Sequence, residues 1–345
     1  MVSEETSTET HLSVVMTTNQ DEMTQATGVT SSSLLTALWY FRYFVVVIGV
    51  IGTAANGLVL YALLASKQHK KQMLIVNQNA LDLYSCLLLV IAYGLKLLSS
   101  WLNVTSVYLH CTFASTENLL VSGFFGSSIN LTLIAIDRYL KVCHNVWSKK
   151  NVRKWMIYVA MAFAWISGFV YHMSLAFDTT DTNNVCYPYT SMYPMIPMSK
   201  LGAGIFYFLA SYVIVLLTSV FCYWKILMTI RRQARVMASH NPAGPSTTQT
   251  HQSHRIQSNV IKTMILVCAF FVIAWAPEKI LVLVTNLRLI NISVPILVVG
   301  NVGMMLGFLY ICANPFIYAT KFDPVRRILK GLILCAGNEV SESVN

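Results

Sequence analysis

Seven separate runs of mostly apolar residues decide what this chain can fold into. They lie at residues 43–64, 73–98, 108–140, 155–177, 201–228, 260–286 and 292–319. A helix needs about 20 such residues to cross a hydrocarbon core ~30 Å thick. The expected fold class is therefore all-α: a membrane protein built as a seven-transmembrane helix bundle. Composition agrees, because only 11% of the 345 residues are charged, where a soluble domain carries about 25%.

The net charge of +10, from 24 basic and 14 acidic residues, does not indicate nucleic acid, because the basic residues sit between apolar runs. Lys67, Lys70 and Lys71 occupy the first connection, Lys141, Lys149, Lys150, Arg153 and Lys154 the third, and Arg231, Arg232, Arg235 and Arg255 the fifth. Lys321, Arg326, Arg327 and Lys330 follow the last run, while the opposite side has Arg42, Lys96, Lys200, Lys279 and Arg288. By the positive-inside rule the basic loops are cytoplasmic, the N-terminus is extracellular and the C-terminus is inside. A multi-pass protein of the plasma membrane is expected.

This divides the chain into an extracellular, disordered tail (1–38), a seven-span domain (39–320), an amphipathic helix on the cytoplasmic leaflet (321–335) and a cytoplasmic tail (336–345). The first 40 residues hold no Lys or Arg and no apolar leader, so the first span is expected to act as signal anchor. In "KFDPVRRILKGLILC", Asp323 can cap a helix that has Pro324 in its first position. Phe322, Val325, Ile328, Leu329 and Leu332 then share the face opposite Arg326, Arg327 and Lys330.

Of eight cysteines, Cys111 and Cys186 fall near the oxidising outer face. A disulfide between them is the expectation, against a reading as two buried thiols. Asn103 and Asn291 head sequons in outer loops and are glycosylation candidates, whereas the sequon at Asn130 lies deep in a span.

Polar residues inside spans are functional hypotheses. Asp82 sits mid-span in "NQNALDLYSCLL", and Asn56, Ser127 and Asn314 lie at matching depth. Such an oxygen-rich knot suits a small hard cation or water. Pro277 and Pro315 interrupt the sixth and seventh spans and kink them. Glu278 and Lys279 follow Pro277 but point about 100° apart on a helix, so they need not pair. Glu278 meets either a ligand or an interhelical partner such as Lys96. Asp137-Arg138-Tyr139 closes the third span, where the plain reading is an arginine snorkelling to the boundary.

Taken in order, these motifs are Asn56, the "LDL" acid Asp82, Asp137-Arg138-Tyr139, Trp165, Tyr223, "FFVIAWAP" and the Asn314-Pro315 and Tyr318 of "NPFIY". Over residues 40–335 the chain resembles the rhodopsin-like (class A) G-protein-coupled receptors. The resemblance implies that Asp137 restrains Arg138 at rest and that Arg138 swings inward to meet a heterotrimeric G protein. Tyr223 and Tyr318 would support the active form, and Phe271, Trp275 and Pro277 would couple ligand to movement of the sixth helix. Asp82, Ser127, Asn314 and Trp275 match the family's allosteric sodium site, with no other metal or cofactor expected. Cys111 and Cys186 match its outer disulfide, the amphipathic segment its short eighth helix, and Cys335 a palmitoylation site. Arrestin and membrane lipid join the expected partners. Four positions depart from the pattern: Cys111 lies two residues farther from Arg138, Gln257 replaces an acid that locks the sixth helix, and Val215 and Ala274 replace a proline and a cysteine.

The resemblance also bears on the ligand. Leu120, or Asn118 after a shift of two, stands where amine receptors carry an aspartate, and Phe308 stands where opsins carry the retinal-linking lysine. Neither an amine receptor nor a photopigment is expected. The cavity would be lined by Tyr93, Leu120, Phe124, Tyr207, Ser211, Trp275, Glu278, Met304 and Phe308. A peptide with a basic group, countered by Glu278 or Glu117, is the first expectation, and a lipid or other small molecule the second. A secondary transporter or channel is a remote third, since no internal repeat is visible. No HExxH, GxSxG or paired-acid pattern points to an enzyme.

Overall fold

The computed structural model describes residues 31–66, 72–101, 107–173, 180–182, 185–187, 202, 205–206, 208–239, 247–287, 289–290, 294–321 and 325–331. The helices are α1 (Ser31–Ala65), α2 (Met73–Trp101), α3 (Val107–Cys143), the short α4 (Asn145–Asn151), α5 (Lys154–Met173), α6 (Ile214–Ser239), α7 (Thr247–Asn286), α8 (Val294–Lys321) and α9 (residues 325–331). Strands β1 (Thr180–Thr182) and β2 (Val185–Tyr187) form an antiparallel hairpin with Asp181 opposite Cys186.

Among the described residues, α1, α2, α3, α6, α7 and α8 are long and apolar enough to cross a membrane. The seventh crossing is α5, with a shorter apolar run, Lys154–Val170, inside a 20-residue helix. At 1.5 Å per residue that helix is ~30 Å long, matching a hydrocarbon core. The sequence and the structure differ at helix ends. Helix α1 begins at Ser31, inside the stretch expected as tail. The fifth span was expected to stop at 228 and the sixth to start at 260, yet α6 runs to Ser239 and α7 starts at Thr247. Hydropathy marks membrane thickness, whereas a helix continues through polar formers such as the Arg, Gln, Ala and Met of "RRQARVM".

The crossings pack side by side. α1 packs on α2, α2 on α3, α3 on α5 and α6, α7 on α8, and α8 back on α1. By contrast, among the described residues α7 touches α3 and α6 only sparsely. Apolar side chains face outward, among them Val47 and Leu58 of α1, Phe163 and Val170 of α5 and Leu217 of α6. Asn56, Gln78, Asn79, Asp82, Asn130 and Asn314 are fully buried. This inside-out arrangement fits a bundle solvated by lipid, where packing relies on small residues and polar contacts. At Gly168 of α5 an added Cβ would run into the Ser122 carbonyl oxygen, so two backbones meet there.

Helix α6 is entered through a π turn, Leu209–Val213, in which the Ile214 N–H donates to Leu209 O five residues back. The turn lies just before Val215, where the expected proline is missing. The Tyr212 hydroxyl donates to Val272 O at 3.0 Å, fixing the turn to α7. In α9, Val325 is buried and Ile328 and Leu329 pack on the core, while Arg326, Arg327 and Lys330 are exposed.

Candidate functional site

Three clusters occupy the bundle axis. The central one surrounds Asp82. Its Oδ1 accepts from Ser127 Oγ at 3.0 Å and Gln78 Nε2 at 3.2 Å, and its Oδ2 accepts from Asn314 Nδ2 at 2.9 Å. Gln78 Nε2 also donates to Ser127 Oγ, and its Oε1 accepts from Asn130 Nδ2 at 2.8 Å. Asn77 Nδ2 donates to Asn130 Oδ1, and Trp165 Nε1 donates to Asn77 Oδ1, both at 2.9 Å. One chain of polar contacts therefore runs from α5 through α2 and α3 to α8. Asn56 extends it to α1, donating to Ile311 O at 3.3 Å while its backbone carbonyl accepts from Asn79 Nδ2 at 2.9 Å.

Burying a carboxylate is costly unless donors surround it. Three donors here come from three helices. Asn314 Oδ1 is also buried and has no partner among the described residues. The expected trio of Asp82, Ser127 and Asn314 is thus assembled. Gln78, Asn77 and Asn130 were missed, although Gln78 and Asp82, four apart, share a helix face.

The second cluster is an aromatic floor between the knot and the end opposite Arg138. Tyr93 meets Phe308 at 5.8 Å, Phe308 meets Phe124 at 5.8 Å, and Phe124 meets Trp275 at 5.1 Å. Leu120 and Ser211 are buried and Met304 half-buried. A Cβ at Gly307 would lie 2.8 Å from the Trp275 ring, so α8 presses its backbone on that side chain. Lys279 Nζ stands 5.1 Å over the Trp275 ring and 3.2 Å from Glu278 Oε2. The two adjacent residues do pair, although helix geometry alone does not require it. Tyr207 and the side chain of Glu117 lie outside the described residues, as do Asn103, Asn291, Cys335 and the side chains of Cys111, Cys186 and Gln257. Strand β2, which carries Cys186, packs on α3.

The third cluster ends α3. Arg138 Nη2 is 3.6 Å from Asp137 Oδ2, but Lys141 Nζ is 2.8 Å from the same oxygen. The Tyr139 hydroxyl lies 3.0 Å from His144 Nε2, and the Tyr139 ring packs on Phe221. The Tyr223 hydroxyl lies 3.7 Å from Cys268 Sγ, joining α6 to α7. The buried Tyr318 hydroxyl has no partner among the described residues. Phe271 packs edge-on against Tyr310 at 5.4 Å.

The family profile described as "7 transmembrane receptor (rhodopsin family)" matches residues 55–318. The chain belongs to the rhodopsin family of seven-transmembrane receptors. This receptor is 24% identical to opsin-5 of Homo sapiens over 262 residues, covering 68% of this chain and 65% of that protein. It is 24% identical to melanin-concentrating hormone receptor 1 of Mus musculus, over 81% of this chain and 77% of that one. It is also 24% identical to lysophosphatidic acid receptor 3 of Homo sapiens, over 84% and 77%. Squid rhodopsin shares the receptor's fold, with a TM-score of 0.66 at 16% identity over 87% of this chain and 86% of that one. These relatives are receptors, not enzymes.

Proposed function

We propose that this receptor binds an extracellular ligand on the aromatic floor and activates a heterotrimeric G protein at the Arg138 end through outward movement of α7. The observation that carries this reading is the packing of α7. Its Trp275 is clasped between Phe124 and Gly307 at the floor, while the helix as a whole holds α3 and α6 only sparsely. A displaced ring then has a lever to move. In this reading the receptor sits in the plasma membrane with its N-terminus outside, Cys111 and Cys186 form a disulfide, Asn103 and Asn291 are glycosylated, Cys335 is palmitoylated and arrestin is a further partner. The test is nucleotide exchange by several G-protein classes with the purified full-length receptor. Exchange that Arg138→Ala leaves unchanged in every class would sink the proposal.

Asp82, Ser127 and Asn314 would hold an allosteric sodium ion, with the unpartnered Asn314 Oδ1 as an added hard oxygen donor. The ion would supply positive charge to the buried carboxylate.

The relatives include an opsin, a hormone receptor and a lysophosphatidic acid receptor. Phe308 has no amine to bind retinal. A basic peptide countered by Glu278 or Glu117 was the first expectation. A specific observation favours the second, a lipid or other small molecule: Glu278 already faces the ammonium of Lys279 at 3.2 Å.

A further inference from the structure

Four cations crowd the link between α4 and α5. Lys149 and Lys150 lie in the last turn of α4, Arg153 precedes α5 and Lys154 opens it. Asn151 and the extended Val152 separate the two pairs. Positions 149–154 span at most ~18 Å even when fully drawn out. All four side chains are exposed. The chain holds no Asp or Glu from Arg138 to Phe177, and the acid before that stretch, Asp137, is held by Lys141 at 2.8 Å. Among the described residues, none of the four makes an ion pair or a side-chain hydrogen bond.

Two tryptophans frame these cations, Trp147 at 52% exposed and Trp155 at 60%. Trp155 begins a stripe of exposed residues on α5, continued by Val159, Phe163, Ile166 and Val170 at spacings of three and four. This is the lipid-facing side of a 20-residue helix about as long as the hydrocarbon core is thick. Lys154, its first residue, therefore stands at headgroup level, where tryptophan rings also settle.

Charge that serves only to fix topology needs no particular place in its loop. Here Arg153 and Lys154 sit at the positive end of the α5 dipole, which disfavours cations and favours anions. Unpaired cations at that end, at the depth of lipid phosphates and between two interfacial rings, fit a multivalent anion carried by a lipid. A singly charged headgroup offsets one charge of the four. An inositol ring bearing two phosphomonoesters offsets most of them in one footprint.

Resting on the receptor reading and its orientation, we infer that Lys149, Lys150, Arg153 and Lys154, framed by Trp147 and Trp155, form a docking site for a polyphosphorylated inositol lipid of the cytoplasmic leaflet. The headgroup phosphates accept from the four cations, and the acyl chains run along the α5 stripe.

The test uses the purified full-length receptor in phosphatidylcholine nanodiscs and reads thermal midpoints as an anionic lipid is added. One series contains phosphatidylinositol bisphosphate and the other phosphatidylserine, compared at equal total charge. The bisphosphate lipid should reach its half-maximal shift at about one tenth of the phosphatidylserine charge. Replacing either pair, Lys149→Gln with Lys150→Gln or Arg153→Gln with Lys154→Gln, should raise the half-maximal fraction about tenfold. Arg326→Gln with Arg327→Gln removes as much charge from the exposed face of α9 and should raise it only about twofold. The parent's preference between the two lipids needs no substitution and decides the matter if a variant fails to fold. The inference is overturned if phosphatidylserine matches the bisphosphate lipid at equal charge, or if the α9 pair matters as much as the α4–α5 pairs. It is overturned as well if soluble inositol trisphosphate binds as tightly as the lipid, which would make this a site for free phosphates. Pair variants that keep the lipid shift but lose nucleotide exchange would assign the corner to the G protein instead. No G protein enters the midpoint measurement, so failure of the receptor reading, absent exchange in every class, is seen separately.

Discussion

Lys141, one turn beyond Asp137 on α3, holds the Asp137 carboxylate at 2.8 Å, closer than the 3.6 Å separating that carboxylate from Arg138. The acid expected to restrain the switch arginine is shared, and its nearer partner is a half-exposed lysine. Such i,i+4 pairs are worth about 0.2–1 kcal/mol at a surface. Lys141→Ala should release Asp137 toward Arg138 and lower ligand-free nucleotide exchange about two- to five-fold, while Asp137→Asn should raise it. Exchange rates at equal surface expression check both signs.

The missing sixth-helix acid gives a second handle on resting activity. With Gln257 in that position, α7 lacks a charge that the family resemblance would pair with Arg138. Gln257→Glu is expected to reduce ligand-free signalling and leave the maximal ligand response intact. Unchanged basal exchange at matched expression would remove Gln257 from the account.

Gln78 decides how open the Asp82 knot is to a cation. Its amide donates to both Asp82 and Ser127. Gln78→Leu deletes those donors and leaves Asn130 its bond to Leu74 O at 3.0 Å. A carboxylate that loses a donor gains more from an added cation. The thermal midpoint of Gln78→Leu should therefore rise more than that of the parent when choline chloride is replaced by sodium chloride. Asp82→Asn should show no sodium response.

At Gly307 an added methyl would lie 2.8 Å from the Trp275 ring. Overpacking of this kind costs about 1–3 kcal/mol. Gly307→Ala should lower the thermal midpoint and change Trp275 fluorescence. Gly57→Ala is the control, because a Cβ there meets nothing within 4 Å. Replacing a mid-helix glycine in open space stabilises by about 0.5–1 kcal/mol. Equal midpoints for the two variants would show that the Trp275 contact yields without cost.

The crossings were legible in the sequence because apolar run length reports membrane thickness. Asp82, Ser127 and Asn314 were legible because polar atoms are costly at that depth. The polar overruns of α6 and α7 were not, since outside the membrane no hydropathy contrast marks where a helix ends. Gln78 escaped because its role depends on α3 bringing Ser127 and Asn130 to it, a matter of tertiary packing. Spacing alone leaves open whether Lys279 pairs with Glu278, and only the side-chain geometry brings it over Trp275. The Asp137–Lys141 pair lies at a spacing of four that the sequence does display, but spacing does not reveal which of two cations sits nearer.

The π turn at Leu209–Val213 forms without the proline expected near Val215. One residue more or fewer in a helix turns everything beyond it by about 100°. Length changes in this stretch therefore act as rotations: deleting one residue between Leu209 and Val213 would carry Phe206 and Phe208 around the helix axis while leaving Tyr223 where it is. A scan across α6 should find its pattern of sensitive positions slipping by one residue at the turn.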